Sequence, residues 1–216
     1  MEKIDDSYQF DLRYNLKKEA TNQTLEYIKK NMKKSICFQH SITALFDYSL
    51  PLIKKNGLIL EFGVRKGKTT KEIAKRINSR ICHGFDSFEG LPEDWSGQQY
   101  AKGAYNENGK IPKLPKNTKI HKGWFKDTVP KFSKTTTQKI AFIHFDCDLY
   151  SSTKTIFDHL GNRIEKDTIL IFDEYFNYPN WQQHEYKAFQ EFVKKRKISY
   201  EYLAFTSKAA VCLKIN

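Results

Sequence analysis

The stretch Gly57-Leu-Ile-Leu-Glu-Phe-Gly-Val-Arg-Lys-Gly-Lys-Thr-Thr70 decides how the rest of the chain is read. An apolar run, Leu58 to Leu60, ends in the acidic Glu61, passes through Gly63 and Gly67, and enters a helical pattern at Lys68. This is the order of a strand, a tight turn and a helix N-terminus. Such a junction gathers backbone N–H groups and the positive end of a helix dipole, which suits a nucleotide-like ligand. Gly67-Lys68-Thr69 invites a phosphate-wrapping loop, but that loop needs a glycine where Phe62 stands. Gly63 leaves the ring one residue short. The competing reading is a turn whose acidic residue faces the ligand and which encloses no triphosphate.

Working outward, apolar residues recur at helical spacing over 17–32 and 39–54, with Ile42, Leu45, Phe46, Ser49 and Leu50 on one face of the second helix. Two helices are therefore expected before the first strand. Past the junction, helical patterns alternate with short apolar runs at 81–85, 118–121, 140–145 and 167–172, and the chain closes with a hairpin over 199–205 and 209–215. Alternation on this scale predicts an α/β, Rossmann-like fold: a mainly parallel sheet, helices on both faces, and an antiparallel strand from the hairpin. Residues 1–56 read as a helical arm or lid on a core formed by 57–216. At 216 residues the whole fits one domain, a size that buries roughly 70% of the unfolded chain's surface. The long stretch 91–115, rich in glycine, proline and aromatic residues, reads as a loop and a substrate-facing lid.

The formal charge is +12, with lysines spread along the whole length and only Lys194 to Lys197 forming a compact basic run. A solvated, lysine-rich surface is the expectation, with attraction of an anionic partner as its rival. The four cysteines, Cys37, Cys82, Cys147 and Cys212, are far apart and match no zinc or redox spacing, so they read as small hydrophobes in a reducing compartment. The N-terminus is polar, and no apolar run approaches the roughly 20 residues that span a bilayer. A cytoplasmic protein is expected.

In open α/β sheets ligands bind at the carboxyl ends of the strands. Nearly every predicted strand here ends in an acid: Glu61, Asp86, Asp146 with Asp148, and Asp173 with Glu174. Crowded negative charge is costly unless a cation or hydrogen-bond donors offset it. Asp86, at the end of the second run, stands where nucleoside-binding folds place the acid that holds ribose hydroxyls. Asp146, Asp173 and Glu174 offer hard oxygen donors suited to Mg²⁺ or a similar divalent ion.

Five segments resemble, in order, the S-adenosylmethionine (SAM)-dependent O-methyltransferases of the macrocin O-methyltransferase type. They are Glu61-Phe-Gly63 with Gly67, Phe85-Asp-Ser-Phe-Glu-Gly-Leu-Pro92, Gly123-Trp-Phe-Lys-Asp-Thr128, Asp146-Cys-Asp-Leu-Tyr-Ser-Ser-Thr153 and Phe172-Asp-Glu-Tyr175. The resemblance implies a seven-stranded class I methyltransferase fold, SAM as cofactor, Mg²⁺, and a sugar or related hydroxyl as acceptor. It puts Glu61, Phe62, Gly63, Gly67, Asp86, Ser87 and Phe88 at SAM, with Gly123 and Trp124 near the adenine. It makes Asp146, Asp173 and Glu174 the metal set, although many relatives carry Asp-Asp where this chain has Asp173-Glu174. Asp146 or Asp148 is the candidate base, with His184, backed by Glu185, as a second. His144 reads as structural. The expected partner is a small-molecule acceptor, anionic if the lysines act on it; self-association stays open. The alternatives are an RNA methyltransferase of the same fold and a nucleotide-binding module built on Gly67-Lys68-Thr69.

Overall fold

The computed structural model describes residues 10–54 and 56–216. Asp11 caps the first helix, its carboxylate accepting the Arg13 and Tyr14 N–H groups at 2.8 and 3.0 Å. In chain order the elements are α1 (Leu12–Asn31), β1 (Ile36–Phe38), α2 (Ile42–Ser49), β2 (Leu58–Phe62), α3 (Lys68–Arg76), β3 (Cys82–Asp86), β4 (Thr118–Lys122), α4 (Phe125–Thr135), β5 (Ile140–Phe145), α5 (Tyr150–Leu160), β6 (Ile169–Phe172), α6 (Glu185–Arg196), β7 (Tyr200–Thr206) and β8 (Val211–Ile215). The first nine residues of the expected arm lie outside the described residues.

The sheet runs β1-β7-β8-β6-β5-β2-β3-β4. Only β8 is antiparallel to its neighbours, paired with β6 on one side and β7 on the other. The expected seven strands are eight. Ile36–Phe38 adds the extra one, pairing in parallel with β7 in the register Ile36 to Ala204. Three residues are too few to display a period, and the pairing partner lies far along the chain, so the strand leaves no local trace.

The strands alternate their side chains between two cores. Leu58, Leu60 and Phe62 join the α4–α5–α6 side, where Ala20 and Met32 also pack. Ile59 and Phe142 join the α2–α3 side with Leu45, Phe46, Ile73 and Ile77. Period-two alternation then sends Glu61 and its register partner His144 toward α2 and α3. Cys82, Cys147 and Cys212 are buried, Cys37 is exposed, and all four are free thiols. Among the described residues no helix is long and apolar enough to cross a membrane.

Strand order reverses between β2 and β5, since β3 follows β2 on one side while β5 and β6 lie on the other. That reversal opens a crevice at the carboxyl ends of these two strands.

Candidate active site

A cavity of about 830 Å³ occupies the crevice, lined by the turn after β2, the loop after β3, the start of α4 and α5, and the ends of β5 and β6. Gly63 sits at its base with φ +96°, and a Cβ there would lie 1.7 Å from the Asp146 carbonyl oxygen. Only glycine lets the two strand ends come this close. Asp146 N–H donates to Phe62 O at 2.8 Å, and Gly63 N–H to Phe85 O at 3.0 Å. The Asp86 carboxylate accepts three backbone N–H groups, from Val64 and Arg65 at 2.7 Å each and from Phe88 at 2.6 Å. It therefore fixes the glycine turn from the neighbouring strand while still lining the cavity.

On the opposite wall, carboxylate oxygens of Asp146, Asp148 and Glu174 lie within 4.8 Å of one another. Asp173 lines the same wall. Burial, then the charge of Asp173, pushes Asp148 up to about 7. Asp146 and Glu174 are raised by the same two causes and then by the charge of Asp148, and Glu174 also by that of Asp146. Glu174 Oε2 is buried without a protein partner. Such a set is short of positive charge. Asp148 adopts φ +66°, uncommon for a residue with a Cβ, and the turn that holds it is tied down by Glu185, the first residue of α6. The fully buried Glu185 carboxylate accepts the Asp148 N–H at 3.1 Å and the Cys147 N–H at 3.4 Å.

The loop after β3 closes the third side. Tyr105 lines the cavity under the Arg65 guanidinium, which lies 4.6 Å from its ring centroid, and Arg65 Nε pairs with Glu107 at 3.1 Å. Burial, a hydrogen bond with Tyr100, and the charges of Asp148 and Glu174 raise the Tyr105 hydroxyl, so it stays protonated. Tyr105 and Arg65 escaped the sequence reading because nothing in their local spacing marks them, and Glu185 entered it only as the residue behind His184.

Of the residues singled out from the sequence, Gly63, Asp86, Ser87, Trp124, Asp146, Asp148, Asp173 and Glu174 line the cavity. Six others do not. Glu61 is fully buried on the α2–α3 side, accepting His144 Nδ1–H at 3.1 Å. Phe62 is core, stacked on Phe85 with ring centroids 4.7 Å apart. Gly67 opens α3 at φ +70° and packs against Leu114. Phe88 is buried, and Gly123 contributes its N–H to Asp86 O at 2.9 Å. His184 turns away, its Nε2 donating to Ser96 O at 2.9 Å, because consecutive residues at a helix start point in directions about 100° apart.

A family model described as a methyltransferase domain matches residues 60–175, more than half of the chain, from within β2 to just past the acids after β6. The chain belongs to this methyltransferase domain family. No curated protein sequence matches this methyltransferase. Among solved structures it is similar to CalS11, a calicheamicin methyltransferase also described as a TDP-rhamnose 3'-O-methyltransferase, at 22% identity and TM-score 0.64 over 97% of this chain and 93% of that one. It is similar to the O-methyltransferase NovP at 22% identity and TM-score 0.61, over 81% and 80% of the two chains. The O-methyltransferase from Bacillus cereus, in complex with SAH, gives 14% identity and TM-score 0.52 over 93% and 90%. At these identities the likeness speaks for the fold. The protein is thus an enzyme of the Rossmann-like methyltransferase class, and the nucleotide-binding alternative built on Gly67 falls away.

Proposed function

We propose that this methyltransferase moves the methyl group of SAM to a hydroxyl oxygen of a sugar or nucleotide-linked sugar, with a hard divalent cation held by Asp146, Asp148 and Glu174. The observation that carries this reading is the convergence of three carboxylates on the cavity wall beside the Gly63 turn. Their mutual repulsion and the orphaned Glu174 Oε2 fit a cation with oxygen ligands. Asp148 replaces Asp173 in the expected set because its turn brings it to Asp146 and Glu174.

SAM, when bound, supplies an electrophilic sulfonium methyl, and the cation offsets the carboxylates and polarises the acceptor oxygen. The chain's own residues do the rest. The Gly63 turn, Ser87 and Trp124 bind and orient the cofactor. Leu91, Pro92 and Tyr105 cover the cavity and exclude water. Asp173, on the same wall but outside the trio, takes the proton that the acceptor hydroxyl gives up. Arg65, Lys66, Lys68, Lys102 and Lys126 also face this space, which favours an acceptor with phosphate over a neutral one.

Labelled SAM, Mg²⁺ and a panel of free and nucleotide-linked sugars test the proposal. Transfer to a nucleotide sugar, abolished by EDTA and reduced about 100-fold or more in Asp173→Asn, is the expected result. Full activity after chelation overturns the metal assignment. An unchanged rate in Asp173→Asn overturns the base, and absent SAH binding overturns the whole reading.

A further inference from the structure

Sequence reading expects the lysines to be scattered, but the fold gathers them at one edge. Between residues 110 and 139 stand nine lysines and a single acid, Asp127, so these thirty residues carry +8 of the formal +12. All nine lysines are exposed. Only Lys139 has a carboxylate partner among the described residues, Glu165 at 3.2 Å. The segment builds β4, which is the outer strand of the sheet, and α4, which packs beside it.

Between β4 and α4 lies a second cavity of about 640 Å³, whose walls include His83, Lys119, His121, Lys122, Lys131 and Gln138. It shares no lining residue with the methyl-transfer cavity, and no carboxylate or arginine lines it. At its floor His83 Nδ1 and His121 Nε2 are 3.0 Å apart, with both rings half-buried. We infer that this groove is a second binding site, separate from the methyl-transfer cavity, for a small ligand carrying two or three linked phosphate groups.

Lysines on an edge strand often serve only to block strand addition. That accounts for Lys119 and Lys122 on β4. It does not account for Lys131 and Lys134 on the helix beside it, nor for a cavity floored by paired imidazoles. Like charges gathered this densely repel one another, which destabilises the fold unless an anion offsets the repulsion. Lysine without arginine favours a ligand that accepts point charges from several directions, as phosphate does, over a carboxylate gripped by a planar fork. Three ammonium groups, from Lys119, Lys122 and Lys131, need more than one phosphate to match them. Recognition of a base is disfavoured, because Phe132, the aromatic ring in the wall, is buried and offers no stacking face.

The histidine pair adds a response. Burial, the partner imidazole and Lys119 press His121 down to about 4, and burial with Lys119 lowers His83. The charged groups facing the pair are Lys119 and Lys122 from β4 and Lys131 from α4. An anion seated among them reverses the local potential and raises both imidazoles.

The test is titration of the full chain with inorganic tripolyphosphate and pyrophosphate, at low salt and without divalent metal, followed by calorimetry and histidine NMR. The expected result is saturable binding that weakens with salt, persists at saturating SAH, and moves the His121 titration midpoint upward. Lys119→Glu with Lys131→Glu should weaken it at least tenfold while leaving SAH affinity unchanged; the milder Lys119→Ala should weaken it measurably if the double variant fails to fold. No binding, binding indifferent to both variants, or displacement by SAH overturns the site. A short RNA binding more than 100-fold tighter than tripolyphosphate overturns the small-ligand assignment. SAH binding, measured in parallel, keeps a failure here apart from a failure of the methyl-transfer reading.

Discussion

Glu185 shows how much a single buried carboxylate can decide. It projects from the first turn of α6, where a negative charge is favoured by the helix dipole, and it accepts two backbone N–H groups from the turn carrying Asp146 and Asp148. Burial, then the charge of Asp148, raises it. Glu185→Gln keeps an acceptor oxygen and removes the charge, so Mn²⁺ titration should find cation affinity within about threefold of wild type. Glu185→Ala leaves the two N–H groups unpaired in a dry site, a cost of about 2 kcal/mol, and frees the turn. Its cation affinity should fall at least tenfold, with a lower Tm. Equal cation binding in the two variants would show that Glu185 serves stability alone. The acidic edge was legible at this scale because strand ends can be read from apolar runs. Which acids meet was not. Asp148 reaches the trio through a left-handed residue, and Glu185 comes from an element 37 residues further on; neither leaves a mark in local spacing.

At the scale of elements, the segment between β3 and β4 behaves as a fitted cover. Its first half is pinned from both ends. Leu91 N–H donates to Ala104 O and Gly103 N–H to Leu91 O, each at 2.9 Å. Gly97, at φ +83°, presses against Pro179, where a Cβ would lie 2.0 Å from the carbonyl oxygen. Asn180 Nδ2 donates to Ser96 Oγ at 2.7 Å, and Arg13 of α1 reaches Gln99 at 2.6 Å. The aromatic residues that marked 91–115 as more than a linker divide accordingly: Trp95 is buried and Tyr105 faces the cavity. Native-state hydrogen exchange should therefore find the Leu91, Gly103 and Ala104 amides protected without any ligand, and SAH should add little protection there. Rapid exchange of these amides in the free protein, slowed by SAH, would mean that the loop closes on its ligand. Sequence alone could not separate these outcomes, because the contacts that pin the loop come from α1 and from the segment before α6, both remote in the chain. The same reason hid β1, whereas the alternating core strands, being longer and apolar, were readable to within a residue or two.

For the whole molecule, two groups of side chains pull stability in opposite directions with pH, and their separation is testable. His121, held down to about 4, binds its proton more weakly folded than unfolded, where a histidine titrates near 6.5. Its contribution to stability is complete above about 6.5 and is lost as pH falls toward 4. The raised carboxylates act inversely. Asp148, pushed up to about 7 from an ordinary value near 4, keeps its proton longer in the folded chain, so its contribution is present below about 4 and is lost as pH rises through 7. The net Tm profile between pH 4 and 7 is consequently flatter than either part. His121→Asn removes one slope and should leave Tm falling as pH rises across that window. A cation held by the trio as proposed would remove the other, since it would bind the ionised carboxylates and only in the folded state. Mg²⁺ should then raise Tm more at pH 7.5 than at pH 5, and should do so equally in wild type and His121→Asn, because His121 lies on the edge strand β4, separated by β3 and β2 from β5, whose end carries Asp146 and Asp148. A Mg²⁺ effect independent of pH would show that the acidic wall is not where the ion binds.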